Sequence, residues 1–218
     1  FGRELPTGHV MFQKESTVYA ARFDADSLEL TGTPVPLLDD IHWNATGGGI
    51  LSVAEIGTLV YSLTGRPNKR LFRVRRGGVA EPYPFKTPGG GPQVSPDGKQ
   101  VAFIRDWQIW VADLQRHTEQ RLNTPRMVRF NLTWTPDGRY LAFVLPDGIW
   151  RIRPDGSSRA ERLTKDSDLP LPWSFSPDGR FLLVAVKVSS IASNNLYTMR
   201  VSTDPARAEA RQLYVEEY

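Results

Sequence analysis

Short apolar runs, each introduced by a turn, recur along the chain at a fixed interval. Val101-Ala102-Phe103-Ile104, Leu141-Ala142-Phe143-Val144 and Phe181-Leu182-Leu183-Val184 each follow a nearly identical tetrapeptide. The three copies are Ser95-Pro96-Asp97-Gly98, Thr135-Pro136-Asp137-Gly138 and Ser176-Pro177-Asp178-Gly179, with glycines 40 and 41 residues apart. A further step of 41 back reaches Gly57, which Leu59-Val60-Tyr61 follows. Behind each run comes an aromatic-bearing segment: Arg70-Leu71-Phe72-Arg73, Gln108-Ile109-Trp110-Val111, Gly148-Ile149-Trp150-Arg151 and Asn195-Leu196-Tyr197-Thr198. More polar segments close the units around Arg121-Leu122, Arg162-Leu163 and Gln212-Leu213, and one more strand precedes the tetrapeptide, as in Asn131-Leu132-Thr133-Trp134. Runs this short between turns are strands, and four per unit at a period near forty predict the blades of a β-propeller.

The tetrapeptide is a hairpin turn by composition. Proline presets φ at the first central position, Ser, Thr and Asp bond nearby backbone groups, and glycine accepts a positive φ. Pro96, Asp97 and Gly98, with Pro136, Asp137, Gly138, Pro177, Asp178 and Gly179, are therefore structural turn residues. Recurring once per blade, the three aspartates are expected tens of ångströms apart, too dispersed to share a metal. The apolar runs read as central strands buried between neighbouring blades. Trp110 and Trp150, with Phe72 and Tyr197 in the equivalent places, read as blade-to-blade packing.

An earlier unit is visible in His9–Phe12, Thr17–Ala21 and Pro34–Leu38, read as second, third and fourth strands with no innermost strand before them. This predicts one all-β propeller region over 1–218, with units near 1–40, 41–86, 87–124, 125–166 and 167–218. Four blades are full and most of a fifth is present. The chain begins at Phe1 and neither terminal unit looks capped, so the expectation is part of a six- or seven-bladed propeller, a closed five-bladed ring being the alternative.

Composition narrows the function classes. No cysteine among 218 residues removes disulfides, thiolate metal sites and a cysteine nucleophile. The net charge of +3 is small, and only Arg73, Arg75 and Arg76 cluster, so no nucleic-acid partner is expected. No apolar run has the length of a membrane span, so no direct membrane insertion by this segment is expected. A Gly-x-Ser-x-Gly elbow, a phosphate-binding loop and a dinucleotide fingerprint are all missing from the sequence. The three histidines, His9, His42 and His117, are scattered. Asp24-Ala25-Asp26 and Asp166-Ser167-Asp168 have the opening spacing of a calcium loop but not its glycine or distal glutamate. No catalytic residue, metal site or cofactor is assigned. Asn44-Ala45-Thr46 and Asn131-Leu132-Thr133 match the glycosylation acceptor, which carries no weight if the source is bacterial.

Function is then expected in the loops. In a propeller the links between blades and the links from second to third strand emerge on one face, around the mouth of the channel. That register places His42, Trp43, Arg105, Trp107, Arg129, Asp168 and Trp173 there, with Asn44, Asp106 and Arg126. Trp43, Trp107 and Trp173 stand outside the repeated aromatic position, and exposed Trp and Arg are the types enriched at binding hot spots. The expected partner is a protein or peptide segment, or a small polar ligand.

The Ser/Thr-Pro-Asp-Gly tetrapeptide, the strand ending in Ala-Phe, the Ile-Trp and the closing Arg-Leu together resemble the bacterial TolB-like, WD-repeat-like propeller repeat. The resemblance is strong from Pro92 to Leu213 and weaker before it. Thr17–Asp24, Leu28–Pro36 and Gly57–Tyr61 are similar to propeller segments that follow some bacterial serine/threonine kinase domains. The resemblance implies a non-enzymatic binding scaffold or sensor and, since TolB proteins are periplasmic, favours an extracytoplasmic place. The alternative it leaves open is an accessory domain of a larger enzyme, a kinase or a prolyl-oligopeptidase-type peptidase, with the chemistry in another domain. A lyase-type propeller with its chemistry in the channel is a third reading, against which the scarcity of clustered His, Asp and Glu counts.

Overall fold

The computed structural model describes residues 2–41, 51–54, 57–61, 72–74, 80–83, 90–128, 131–164, 171–187, 194–201 and 210–214. Every regular element among them is a strand. Five small antiparallel sheets follow one another along the chain, each wound from consecutive strands, and they are the blades of a β-propeller. Contacts divide the chain into two compact units, Phe1–Thr87 and Pro88–Tyr218.

In the first unit, the first blade holds β1 (Gly2–Leu5), β2 (His9–Lys14), β3 (Thr17–Asp24), a short β4 (Glu29–Leu30) and β5 (Val35–Leu38). Strands β4 and β5 both pair with β3, so the extra hairpin sits beside an otherwise regular order. The innermost strand that sequence reasoning found missing is β1. It pairs with β2 from Gly2↔Phe12 to Leu5↔His9. The turn joining them, Leu5-Pro6-Thr7-Gly8, keeps the proline and glycine of the tetrapeptide, with Gly8 at φ +69° and its N–H bonded to Leu5 O at 3.1 Å. The first blade is therefore complete. Its signal went unread because the Ser/Thr and Asp of the motif are replaced by Leu5 and Thr7.

The second blade holds β6 (Leu51–Val53), β7 (Leu59–Tyr61), β8 (Phe72–Val74) and β9 (Ala80–Pro82). Its turn is one residue tighter, since Ala54 N–H bonds Thr58 O at 2.8 Å. Met11, Val18 and Ile41 of the first blade's segment pack with Leu51, Val53 and Tyr61, and Phe72 stacks on Tyr61 with ring centres 5.6 Å apart.

In the second unit, the third blade holds β10 (Gly90–Val94), β11 (Gln100–Arg105), β12 (Gln108–Asp113) and β13 (Thr118–Arg121). The fourth holds β14 (Leu132–Trp134), β15 (Leu141–Leu145), β16 (Gly148–Ile152) and β17 (Glu161–Arg162). The fifth holds β18 (Leu171–Phe175), β19 (Phe181–Lys187), β20 (Asn194–Arg200) and β21 (Ala210–Tyr214). The alternation of β15 explains how these blades stack. Leu141 and Phe143 join Ala102, Ile109, Val111 and Leu122 of the third blade in one cluster, whereas Ala142 joins Leu182, Val184 and Met199 of the fifth. A strand buried on both faces must be apolar throughout, and Leu141–Leu145 is. Trp150 packs on the first of these clusters and Tyr197 on the second, so the repeated aromatic position is blade packing. Trp134 adds a polar link between blades, its indole N–H donating to Gln93 O at 2.9 Å.

Candidate binding face

The winding of a blade gives it two ends. One carries the tetrapeptide turn between first and second strands, and the other carries the tip between second and third strands with the link to the next blade.

At the turn end, the three tetrapeptides form the same network. Ser95 Oγ donates to Asp97 Oδ1 at 2.6 Å and accepts from Gln100 N–H at 2.9 Å, while Lys99 N–H also bonds that carboxylate at 3.1 Å. Thr135 and Ser176 repeat the pattern with Asp137 and Asp178, at 2.6 Å for each hydroxyl–carboxylate bond. Gly98, Gly138 and Gly179 sit at φ +66°, +67° and +70°. Burial alone would raise the Asp137 carboxyl, but the Thr135 hydroxyl and the Arg139 N–H outweigh it and hold the group below its ordinary range. The Ser176 hydroxyl and Arg180 N–H likewise lower Asp178. Asp137 and Asp178 are anionic turn acceptors.

The expectation that they stand far apart fails for neighbours. A Cβ on Gly138 would lie 3.8 Å from Pro96, and one on Gly179 3.7 Å from Pro136, so successive turns rest on one another. Asp97 and Asp137 line a groove of about 220 Å³, and Asp137 and Asp178 line one of about 440 Å³ with Tyr140, Arg151 and Phe175. Among the described residues no three His, Asp or Glu side chains converge as a metal cage requires.

Ser95 is buried, so its hydroxyl is the part of this network least replaceable by water. Ser95→Ala leaves Gln100 N–H without its acceptor and is expected to lower stability by about 1–2 kcal/mol. Ser95→Thr, the residue at the same place in the fourth blade, is expected to retain most of it. Urea unfolding of both variants measures the difference, and an Ala variant as stable as the parent would contradict the assignment.

At the tip end, the third blade is joined to its outgoing link. Val128 N–H donates to Trp107 O at 2.8 Å and Leu122 N–H to Ile109 O at 2.9 Å. Thr124 Oγ1 donates to Arg126 O at 3.0 Å and contacts Gln108 Oε1 at 3.3 Å. The fourth blade repeats the Leu–Ile bond, with Leu163 N–H donating to Ile149 O at 2.8 Å, but its Thr164 Oγ1 accepts, from Ile149 N–H at 2.9 Å.

The tip itself is unusual. Asp106 and Trp107 are the two residues between Arg105 and Gln108, and both have positive φ, 52° and 61°. That is the geometry two-residue hairpins prefer, but it is normally supplied by Asn-Gly or Asp-Gly. A bulky residue there costs about 1–2 kcal/mol. The fourth blade makes its tip from Pro146 and Asp147 and places Gly148 at positive φ instead. Trp107 is also 53% exposed, with Met127 in the adjoining link 58% exposed.

The other predicted site residues divide. Arg105 has a packing role: its guanidinium lies 3.7 Å from the Trp110 ring centre and its Nη2 is 2.8 Å from Glu119 Oε2. Trp173 is not in a link. It lies inside the innermost strand β18, where the register shifts between Pro172 and Ser174, and it is 45% exposed. Proline cannot donate to the ladder, and a bulge after it turns the next side chain out of the pairing. His42, Trp43, Arg129 and Asp168 lie outside the described residues. Sequence reasoning missed Met127, which carries no motif, although its neighbour Arg126 was placed at this end.

Consecutive antiparallel blades, one of five strands and four of four, with a turn motif at one end and tips and links at the other, define the protein as a β-propeller. Among solved structures its fold is that of TolB-like propellers. It is similar to TolB from Agrobacterium tumefaciens at 21% identity and TM-score 0.73, covering 98% of this chain and 80% of that one. TolB from Acinetobacter baumannii matches at 20% identity and TM-score 0.68, covering 90% of this chain but 48% of that one, so the chain spans about half its length. The fold also extends to an enzyme, virginiamycin B lyase from Staphylococcus aureus, at 14% identity and TM-score 0.59, covering 100% of this chain and 70% of that one. No protein-family model and no curated protein sequence matches the chain.

Proposed function

We propose that this chain is a recognition module, a propeller scaffold that binds a protein partner through the tip-and-link end of its blades. The observation that supports this reading is the exposure of Trp107 and Met127 there, with Trp173 exposed on an innermost strand. Leu28, Leu30, Val35 and Leu37 expose apolar side chains on the outer hairpin of the first blade, but Trp107 and Met127 combine a tip with its outgoing link, and Trp is the type most enriched at binding hot spots. Buried aromatic anchors with a polar surround supply most of the energy in protein interfaces. Recognition would then use a rigid surface with little ordering cost. The likeness to TolB-like propellers favours an extracytoplasmic place for the module. No helix among the described residues is long and apolar enough to cross a membrane.

The test is a display selection of peptides and folded domains on the parent chain, followed by affinity measurement on a Trp107→Ala/Trp173→Ala variant. Selected ligands are expected to bind the variant about tenfold or more weakly. Equal binding by a variant with unchanged circular dichroism would end this reading.

A further inference from the structure

We infer that the Asp106–Trp107 turn is a protruding anchor that inserts into an apolar pocket of a folded partner protein. This rests on the recognition reading above and names the partner's shape. Three independent features point to it. First, the turn keeps a tryptophan at φ +61° where the same repeat position in the fourth blade avoids a bulky left-handed residue. Strain of this kind persists where surrounding structure over-determines it, and it concentrates at ligand-contacting positions. Second, the strained tip is tied to its surroundings on both sides. Val128 N–H holds Trp107 O, and Arg105, the residue before the turn, is fixed by Glu119 and Trp110. Third, Trp107 is more than half exposed at the end of a two-residue hairpin, with Met127 in the adjoining link.

Such a feature is convex. Both grooves described above lie at the opposite, turn-motif end of the blades. A convex apolar knob reaches full burial only in a recess, and an extended peptide or a small polar ligand lying across it would leave much of the ring in water. The partner must therefore bring the concave surface, which requires a folded domain. Asp106 and Arg126, both exposed at this corner, carry opposite charges, so the pocket rim is expected to be polar and mixed in sign rather than strongly acidic or basic.

The experiment takes domains selected on the parent chain and measures their affinity for the parent, Trp107→Gly, Trp107→Phe and Trp173→Ala. Trp107→Gly installs an Asp-Gly tip suited to the turn, so its Tm is expected to equal or exceed that of the parent. Its affinity is expected to fall about tenfold or more, with Trp107→Phe between the two. The photoreactive p-benzoylphenylalanine in place of Met127 is expected to cross-link inside an apolar cavity of the partner. Partners that lose affinity with Trp173→Ala but not with Trp107→Gly would overturn this inference and leave the recognition reading intact. Short unfolded peptides from the partner binding as tightly as the domain would do the same. Partners indifferent to both substitutions would remove both.

Discussion

Phe143→Ala is expected to lower the stability of the second unit by about 4 kcal/mol, the middle of the range for aromatic truncation in a packed core. Phe143 is fully buried at the centre of β15, opposite Leu132 on one side and Trp150 on the other. It belongs to the cluster that the third and fourth blades build together, with Ile109, Leu122, Leu141 and Leu145. Removing the ring forfeits its transfer free energy and leaves a cavity between two sheets that cannot move closer. Their spacing is fixed by other contacts, among them the Trp134 indole bond to Gln93. Denaturant unfolding of the full chain should show a lower midpoint for the transition that reports on Trp134 and Trp150. Phe143→Leu, which keeps most of the volume, is expected to cost about 1–2 kcal/mol. A Phe143→Ala loss under about 1 kcal/mol would mean the site collapses freely, which a strand stacked on both faces should prevent.

That prediction draws on the part of the molecule most legible in the sequence. Phe143 could be placed in a buried strand because Leu141–Leu145 is apolar at every position and follows a proline–glycine turn. The same rhythm located the strands of the third, fourth and fifth blades. It failed at β1, where the turn keeps Pro6 and Gly8 but not the side chains that bond the backbone. It failed also at Trp173, because a bulge is a mismatch between two strands and neither strand alone encodes it.

The candidate site was legible only in outline. The unmatched tryptophans could be told from the repeated ones, and Trp107 could be assigned to a tip. Nothing in Asp106-Trp107 announces a left-handed turn, since that geometry is usually written with glycine. It is imposed by the pairing of Arg105 with Gln108, which leaves room for two residues only. Arg105 shows the converse error. Its residue type suggests a ligand contact, but its partners lie one strand away on β12 and on the next, β13, and are visible only once the sheet is folded.

Those partners make Arg105→Ala the second large effect, an expected loss of about 2–3 kcal/mol. The side chains of Arg105 and Glu119 are 14% and 17% exposed, so the pair is mostly withdrawn from water. Removing the arginine strands the Glu119 carboxylate, whose Oε1 already has no hydrogen-bond partner in its buried position. It also removes the guanidinium stacked over Trp110. The residual exposure keeps the estimate below the roughly 3–5 kcal/mol of a fully buried pair. Arg105→Lys keeps the charge but not the flat face, so it is expected to recover only part of the loss. Arg105→Met with Glu119→Met removes both charges and should come within about 1 kcal/mol of the parent, because an isosteric apolar pair needs no compensation. A double-mutant cycle in urea measures the coupling, and additive single and double variants would show that the two residues do not act as a pair. The same set bears on recognition. Arg105 ends the strand that enters the Asp106–Trp107 turn, so the Arg105→Ala variant should lose affinity for a partner that seats Trp107. The double-Met variant, with the strand end packed again, should regain it.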